Sequence, residues 1–441
     1  LKSLEKLVMG WTPTLNYKAF KQVKNLRELK LSHYRTTHIG KNFLDQHPNL
    51  EHLKLSRLQA SFESATSRPN KYCIDLKCLA NLTALKSLDL SDNRLKFDQE
   101  DCEMIFRLES LEILNLCFNM GKSLKEDELK LNETSFKRMK NLRVLNLSGN
   151  QIKLEGDCFK HLTQLRELDL SHTILDSDNN DYDIFSSLKK LETFKYYRIE
   201  PCESFQLYRL SELVNLKELD LKTTWHHLVR YNEMLRRKRE RGGEEVEPLN
   251  PTNDDLCYFI LRDLTKLTHL DLSYCVLNSI NKQILCQMKE LTGLVLVENN
   301  IRHIEDDTFD DLSNLEEINL KENFLEKIKL NRLFLKCDKL RRVSFDGPII
   351  VDLMDEQFNF KSLVEIECNS ATHLEKFYHA RRAFLRKNPR NISAILPTLD
   401  TEIANIEIMF QTIDIKLNEI NCEKEKSIEQ QLKPFVVDQI I

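Results

Sequence analysis

Leucines recur along the chain in the pattern L-x-x-L-x-L-x-x-N. The first leucine of each unit stands at Leu4, Leu26, Leu50, Leu85, Leu111, Leu142, Leu165, Leu191, Leu216, Leu267, Leu291, Leu315, Leu340 and Leu363. Ten of the thirteen spacings are 22 to 26 residues. A period of that length marks a solenoid in which each unit packs only on its neighbours. Within a unit the L-x-L core, such as Leu145 and Leu147, predicts a short strand whose leucines point inward while the residue between them, here Asn146, points out. Stacked strands of this kind predict a parallel concave sheet. One unit cannot bury its own leucines; its neighbours cover them, at roughly 1.5–3 kcal/mol per side chain.

An asparagine closes the strand and satisfies backbone groups at the turn with its carboxamide, at Asn93, Asn119, Asn150, Asn299 and Asn323. Thr12, Thr173, Thr224 and Cys275 take that place elsewhere and can still donate, whereas Leu58, Ile199, Pro348 and Ala371 cannot, which predicts looser turns there. On the far side a phenylalanine recurs five to seven residues before the next unit, at Phe20, Phe43, Phe106, Phe136, Phe159, Phe185, Phe309 and Phe358. Rings at one height stack along the axis and fill the convex layer. A unit with this phenylalanine spine resembles the typical subclass of leucine-rich repeats found in Toll-like receptor ectodomains and in secreted matrix or immune proteins. The resemblance covers residues 1–375, about fourteen units, and implies an α/β solenoid, a horseshoe with a parallel concave sheet. It also implies an extracellular or secreted setting, with a cytoplasmic one as the alternative.

Composition changes this picture only at its margins. A chain of 441 residues is longer than one compact core usually grows, and nine glycines with ten prolines argue against disorder. A net charge of -4 from 65 basic and 69 acidic residues exerts no overall pull toward nucleic acid, and none is expected as a partner. No stretch reaches eighteen apolar residues, so no membrane segment is expected in the chain. The chain opens on Leu1 inside a unit, which places any N-terminal cap or leader before it.

The twelve cysteines are scattered singly. Cys158, Cys337 and Cys368 fall at core positions, while Cys73, Cys78 and Cys102 are candidates for a local bridge. The chain has no C-x-x-C pair, no phosphate-binding glycine loop, no H-E-x-x-H and no G-x-S-x-G. We therefore assign no catalytic, metal-binding or cofactor-binding residue, and expect a non-enzymatic protein with no cofactor. Acceptor sites for N-glycosylation stand at Asn81, Asn132, Asn146 and Asn391.

Three spacings exceed the unit: 35 residues from Leu50, 31 from Leu111 and 51 from Leu216. Long insertions in a regular array are loops with a task of their own. The largest, 225–255, carries Arg236, Arg237, Lys238 and Arg239, the R-x-K/R-R pattern of furin-like cleavage, with Arg239 as the candidate site. Endosomal Toll-like receptors resemble this in having a processed loop; the alternative is a solvated charged helix and linker.

Beyond Leu374 the pattern stops, and residues 376–441 are expected to form a helical tail. Its heptad segment 399–420 places Leu399, Ile403, Ile406, Phe410, Ile413, Leu417 and Ile420 at alternating spacings of four and three. Such a coiled-coil seam needs a cover, either a second chain or the last units of its own array. With Cys422 nearby, the layout is similar to the mosquito complement-like immune family of leucine-rich-repeat proteins. That family forms disulfide-linked dimers and presents complement-like factors, which implies a homo- or hetero-dimer through the tail.

The outward strand residues are the default binding surface. They begin basic, with Lys6, Lys30, His33, His52, Lys54 and Arg57, and continue acidic through Asp89, Asp92, Glu167, Asp169, Asp220 and Asp271. A basic aromatic cluster of Lys195, Tyr197 and Arg198 interrupts the acidic run. Apolar residues occupy outward places at Ile113, Cys117, Phe118 and Val144, and again at Tyr274, Val295 and Val297. Clusters of that kind on a solvated face mark protein contact, the alternative being that irregular packing hides them, and a protein ligand on the concave face is the expected partner.

Overall fold

The computed structural model describes residues 3–10, 23–32, 35–36, 39–60, 74–93, 95, 97–119, 129–176, 184–197, 207–222, 261–275, 277–325, 328–345, 349–350 and 365–368. The chain divides into two compact units, Leu1–His373 and Leu374–Ile441, and every described residue belongs to the first. Fourteen strands form one sheet in sequence order. They are β1 (Lys6–Gly10), β2 (Glu28–Ser32), β3 (His52–Ser56), β4 (Ser87–Asp89), β5 (Ile113–Asn115), β6 (Val144–Asn146) and β7 (Glu167–Asp169). The series continues with β8 (Thr193–Lys195), β9 (Glu218–Asp220), β10 (His269–Asp271), β11 (Gly293–Val295), β12 (Glu317–Leu320), β13 (Arg342–Phe345) and β14 (Glu365–Cys368). Each begins two residues after the leucine that opens its unit.

All pairings are parallel, and equivalent positions face one another, as in Leu88↔Leu114, Leu114↔Leu145 and Leu145↔Leu168. The inward leucines are almost wholly buried, among them Leu88, Leu114, Leu116, Leu145, Leu147 and Leu170. At the strand entrance one carbonyl receives two N–H groups from the next unit. Glu51 and His52 both donate to the Arg27 carbonyl at 2.8 and 2.9 Å, and Lys86 and Ser87 both donate to Glu51 at 2.8 and 3.0 Å.

The asparagines form a buried ladder at the other end of the strand. Asn119 Nδ2 donates to the Leu116 carbonyl at 2.8 Å in its own unit and to Leu90 at 3.0 Å in the preceding one. Its Oδ1 accepts from the Asn93 N–H at 2.9 Å, and the Asn119 N–H donates in turn to Asn150 Oδ1 at 2.9 Å. Asn299 and Asn323 repeat the arrangement. Where the ladder residue is Thr173, its hydroxyl donates to Leu170, and at Cys275 the thiol donates to Leu221 and Ser273. At Leu58 the ladder is carried from the next unit, because Asn93 Oδ1 accepts the Leu58 N–H at 2.9 Å. Thr12, Thr224, Ile199, Pro348 and Ala371 lie outside the described residues.

Among the described residues the segments between strands include turns, 3-10 helices at Leu76–Leu79 and Leu207–Glu212, single-turn α-helices at Lys282–Leu285 and Leu330–Leu333, and one two-turn helix, Gln99–Phe106, capped by the Asp98 carboxylate, which accepts from the Asp101 N–H at 2.9 Å. Rings stack behind them. Phe106 and Phe136 lie 5.0 Å apart between centroids, Phe136 and Phe159 5.9 Å, and Phe309 and Phe334 5.3 Å. Phe334 belongs to this spine, although the sequence pattern was drawn without it. Phe185 turns instead to the strand ring of Phe194, edge-on at 5.5 Å. Phe20 and Phe358 lie outside the described residues.

Cys78 and Cys102 are free thiols, so the expected local bridge does not join them. Burial raises both; Cys102 is pushed up to about 12. The insertion 225–255 with Arg239, the tail 376–441 with its seam 399–420, Cys73, Asn391 and Arg198 lie outside the described residues. Among those that are described, no helix is long and apolar enough to cross a membrane, and no group of three potential ligands could hold a metal ion.

Candidate functional site

Every unit turns its strand to present residues outward, and the local sequence dictates how. The outward Asx residue at the strand's C-terminal end accepts, through its carboxyl or amide oxygen, the N–H two residues ahead. Asp89 accepts from Ser91 at 3.0 Å, and Asn146, Asp169 and Asp271 accept from Ser148, Ser171 and Ser273 at 2.9 Å each. These acids therefore serve the turn as well as the surface.

Among the described residues, the one before each ladder position is left-handed. Arg57, Asp92, Phe118, His172, Tyr274, Glu298 and Glu322 all have φ between 49° and 62°, and Gly149 has φ 67°. Glycine takes this conformation freely, whereas other residues are strained in it by about 1 kcal/mol each. The row thus sets bulky side chains in a line along one edge of the concave sheet, at a cost in stability.

Charge divides that sheet. On β1–β4 the cations are matched: Lys6 and Lys30 hold Glu28 at 2.9 and 2.6 Å, Lys54 holds Asp89 at 2.5 Å, and Arg57 holds Asp92 at 2.8 Å. The Lys30 and Lys6 ammonium groups hold the Glu28 carboxyl below the usual carboxylate range. From β7 to β12 the outward strand positions carry Glu167, Asp169, Glu218, Asp220, Asp271 and Glu317 against the single lysine Lys195. Burial and the neighbouring Asp271 raise the Asp220 carboxyl, although Lys222 opposes them. Lys222 lies in the turn after β9 and bridges Asp220 at 3.2 Å and Asp271 at 2.9 Å. Burial works against the Lys222 charge, but these two acids raise its ammonium overall.

At the turn edge, from β5 into the start of the acidic region, lies an aromatic platform. Phe118 is 52% exposed, and the space beside it is open because residue 149 is glycine; a Cβ there would come within 2.5 Å of the ring. His172 stands 6.3 Å from Phe118 and meets Tyr197 edge-on at 4.4 Å. Ile113 on β5 is exposed, while Cys117 and Val144 are half-buried. Of the second apolar group Tyr274 is exposed and Val295 and Val297 are half-buried, so the two groups do not close over one another. The Glu298 carboxylate next to Tyr274 pushes its phenol up.

The expected site residues Lys30, Lys54, Arg57, Phe118, Lys195, Tyr197, Tyr274, Val295 and Val297 all lie on this sheet or its turn edge. His172, Gly149, Glu298 and Glu322 complete the edge row among the described residues and were not singled out from the sequence. Comparing the residue before each ladder position across units would have shown them.

Sequence profiles agree with this geometry. The profile described as a BspA type leucine rich repeat region matches residues 3–127, and one described as leucine rich repeat matches 128–175 and 289–347, together more than half of the chain. The chain is a leucine-rich-repeat protein. No curated protein matches it. Among solved structures, this leucine-rich-repeat chain is similar to a Leptospira interrogans leucine-rich-repeat protein at 22% identity and TM-score 0.58, over 83% of this chain and 79% of that one. It is similar to the receptor of the TLR13–ssRNA13 complex at 22% identity and TM-score 0.53, over 84% of this chain and 52% of that one. The Drosophila Toll–Spatzle complex aligns at 18% identity and TM-score 0.53, over 83% of this chain and 43% of that one. At these identities the likeness is one of fold, and the leucine-rich-repeat chain spans about half of the two receptor chains or less.

Proposed function

We propose that the protein is a non-enzymatic recognition scaffold that binds another protein along its concave face, and that it acts outside the cell in innate-immune or cell-surface recognition. The observation that carries this reading is the exposure of large apolar side chains on the working surface: Phe118 at 52%, Ile113 at 42% and Tyr274 at 37%. A sheet face that met only water would carry polar groups there. The phenylalanine spine supports the extracellular setting, as do Toll and TLR13 among the similar folds. Asn81 and Asn132 are exposed for glycosylation, whereas Asn146 is half-buried on the concave sheet.

A second reading, a cytoplasmic adaptor, is favoured by one observation: among the described residues Cys78, Cys102, Cys117, Cys158, Cys286 and Cys337 are free thiols. Intact mass of non-reduced, natively expressed protein separates the two. Glycan mass at Asn81 or Asn132 carries the extracellular reading, and a fully reduced, unglycosylated chain carries the cytoplasmic one.

We further propose that the tail seam 399–420 pairs two chains. Light scattering should report a dimer that Phe410→Asp with Ile413→Asp converts to a monomer; a monomeric intact protein overturns it. The scaffold reading is tested by affinity capture with paired variants. Ile113→Asp with Phe118→Asp on the concave face should lose the partner, and Lys137→Asp with Arg138→Asp on the convex face should keep it. Loss from the convex pair alone contradicts the proposal.

A further inference from the structure

We propose that the aromatic platform of Phe118, His172 and Tyr197, with the acidic strand face beside it, docks a basic polypeptide segment carrying an apolar anchor. The inference rests on the protein-binding reading above and adds the chemistry of the partner. Three independent observations carry it.

Side-chain placement is the first. Glycine would be unstrained at residues 118 and 172, yet a phenylalanine and a histidine stand there with φ 55° and 54°. The Phe118 ring leans across Gly149, where a Cβ would come within 2.5 Å of it, and its outer side remains exposed. Tyr197 braces His172 edge-on at 4.4 Å. These rings form a braced, open platform of the kind that seats an apolar or aromatic anchor.

The second is the surplus of negative charge. Glu167, Asp169, Glu218, Asp220, Asp271 and Glu317 face outward from β7–β12; Lys195 stands in register between Asp169 and Asp220, Lys222 bridges Asp220 and Asp271, and Arg342 of β13 pairs with Glu317 at 3.1 Å, so six acids meet three cations. On β1–β4 the four cations Lys6, Lys30, Lys54 and Arg57 pair with the three acids Glu28, Asp89 and Asp92, so that over both groups nine acids face seven cations. A polyanion such as RNA therefore meets no surplus of positive charge on the described sheet, whereas Lys and Arg side chains meet a field that attracts them.

Shape supplies the third. The acidic face contains a hollow of about 680 Å³ lined by the acids Glu218, Asp220, Asp271 and Glu317 and by the cations Lys195 and Arg342, among others. Gly293 leaves its floor open: a Cβ there would lie 2.8 Å from His269 Cδ2. From β5 to β12 the strands step roughly 34 Å at a spacing of about 4.8 Å, the length of an extended segment of about ten residues.

The test uses the full chain and fluorescein-labelled twelve-residue probes: a Lys/Leu peptide with a central tryptophan, its Glu/Leu counterpart, and single-stranded oligouridylate. Anisotropy at physiological salt should show saturable binding of the cationic peptide alone. Phe118→Ala should weaken it about tenfold. Glu218→Gln with Asp271→Asn should do the same, since asparagine keeps the turn acceptor while removing the charge. Lys137→Ala on the convex face should leave it unchanged, and all variants should melt near the wild type. Cationic binding that ignores both the Phe118 and the acidic variants overturns the proposal, as does preferential binding of the acidic peptide or of the RNA. A partner captured through the concave face that nevertheless ignores Phe118 and the acids also removes this inference, while leaving the scaffold reading in place.

Discussion

Strands β1–β4 and β7–β12 share a backbone, a register and an inward leucine column, yet they treat charge in opposite ways. On the first group each lysine finds a carboxylate: Lys6 and Lys30 find Glu28, and Lys54 finds Asp89. On the second group acids outnumber the cations that could neutralise them, and Lys222 is shared between Asp220 and Asp271. The inward residues are interchangeable between the groups, Leu53 for Leu219 for Leu270, all buried. Because the solenoid is stabilised by inward columns and ladder amides, the outward positions are free to differ. The difference teaches where stability ends and recognition begins.

The sharpest way to break that division is to carry an outward residue type inward. Leu147→Asp should prevent folding of the central units, at more than about 5 kcal/mol, because it removes a buried leucine and places an unpaired charge between stacked strands. Asn146→Asp, one residue away, should be nearly neutral, since its oxygen keeps the Ser148 N–H and hydroxyl. Equal loss of urea resistance in the two variants would put the inward and outward assignments in error.

A second break targets the ladder. Asn119→Leu leaves the Asn93 N–H without an acceptor in the interior and removes one of the two amide donors at each of the Leu90 and Leu116 carbonyls, and should lower stability by about 3 kcal/mol in denaturant titration. Thr173→Val removes one donor and should cost about 1 kcal/mol. If both cost the same, the amide ladder is not the stronger clamp.

A third sharpens the comparison with pH. In the buried column three residues before each unit, Leu82, Leu108, Met139 and Leu162 are apolar, and His47 is the exception. Its two ring nitrogens are buried without a partner, and burial lowers its pKa below the ordinary 6.5. The unfolded chain therefore binds the proton more readily, so His47 favours folding above about pH 6.5 and loses that contribution as pH falls below it. His47→Leu should flatten the melting temperature between pH 7.5 and 5.5, by thermal scans; an unchanged acid loss would assign it to other groups. The smallest effect expected is at Lys54→Ala, about 0.5 kcal/mol, because its ion pair with Asp89 is partly solvated.

Much of this was legible from the chain itself. The leucine spacing located all fourteen strand starts, and Asn93, Asn119 and Asn150 announced the ladder, because both depend on residue types that only one environment favours. Phe118 and Tyr274 were visible as apolar residues in polar places. His172 was not, since histidine suits surface and core alike, and neither was Gly149, whose role depends on the ring leaning over it. Leu58 was expected to loosen its turn, yet its N–H is held by Asn93 from the next unit, a contact that lies in the packing and not in the residue.

The claim that the edge row serves recognition and not the fold has one direct measurement. The triple variant Phe118→Gly, His172→Gly and Tyr274→Gly removes three large side chains and relieves three left-handed residues of strain of about 1 kcal/mol each. We predict a melting temperature equal to or above that of the wild type; a fall of several degrees would show that these rings hold the solenoid together and would contradict the account.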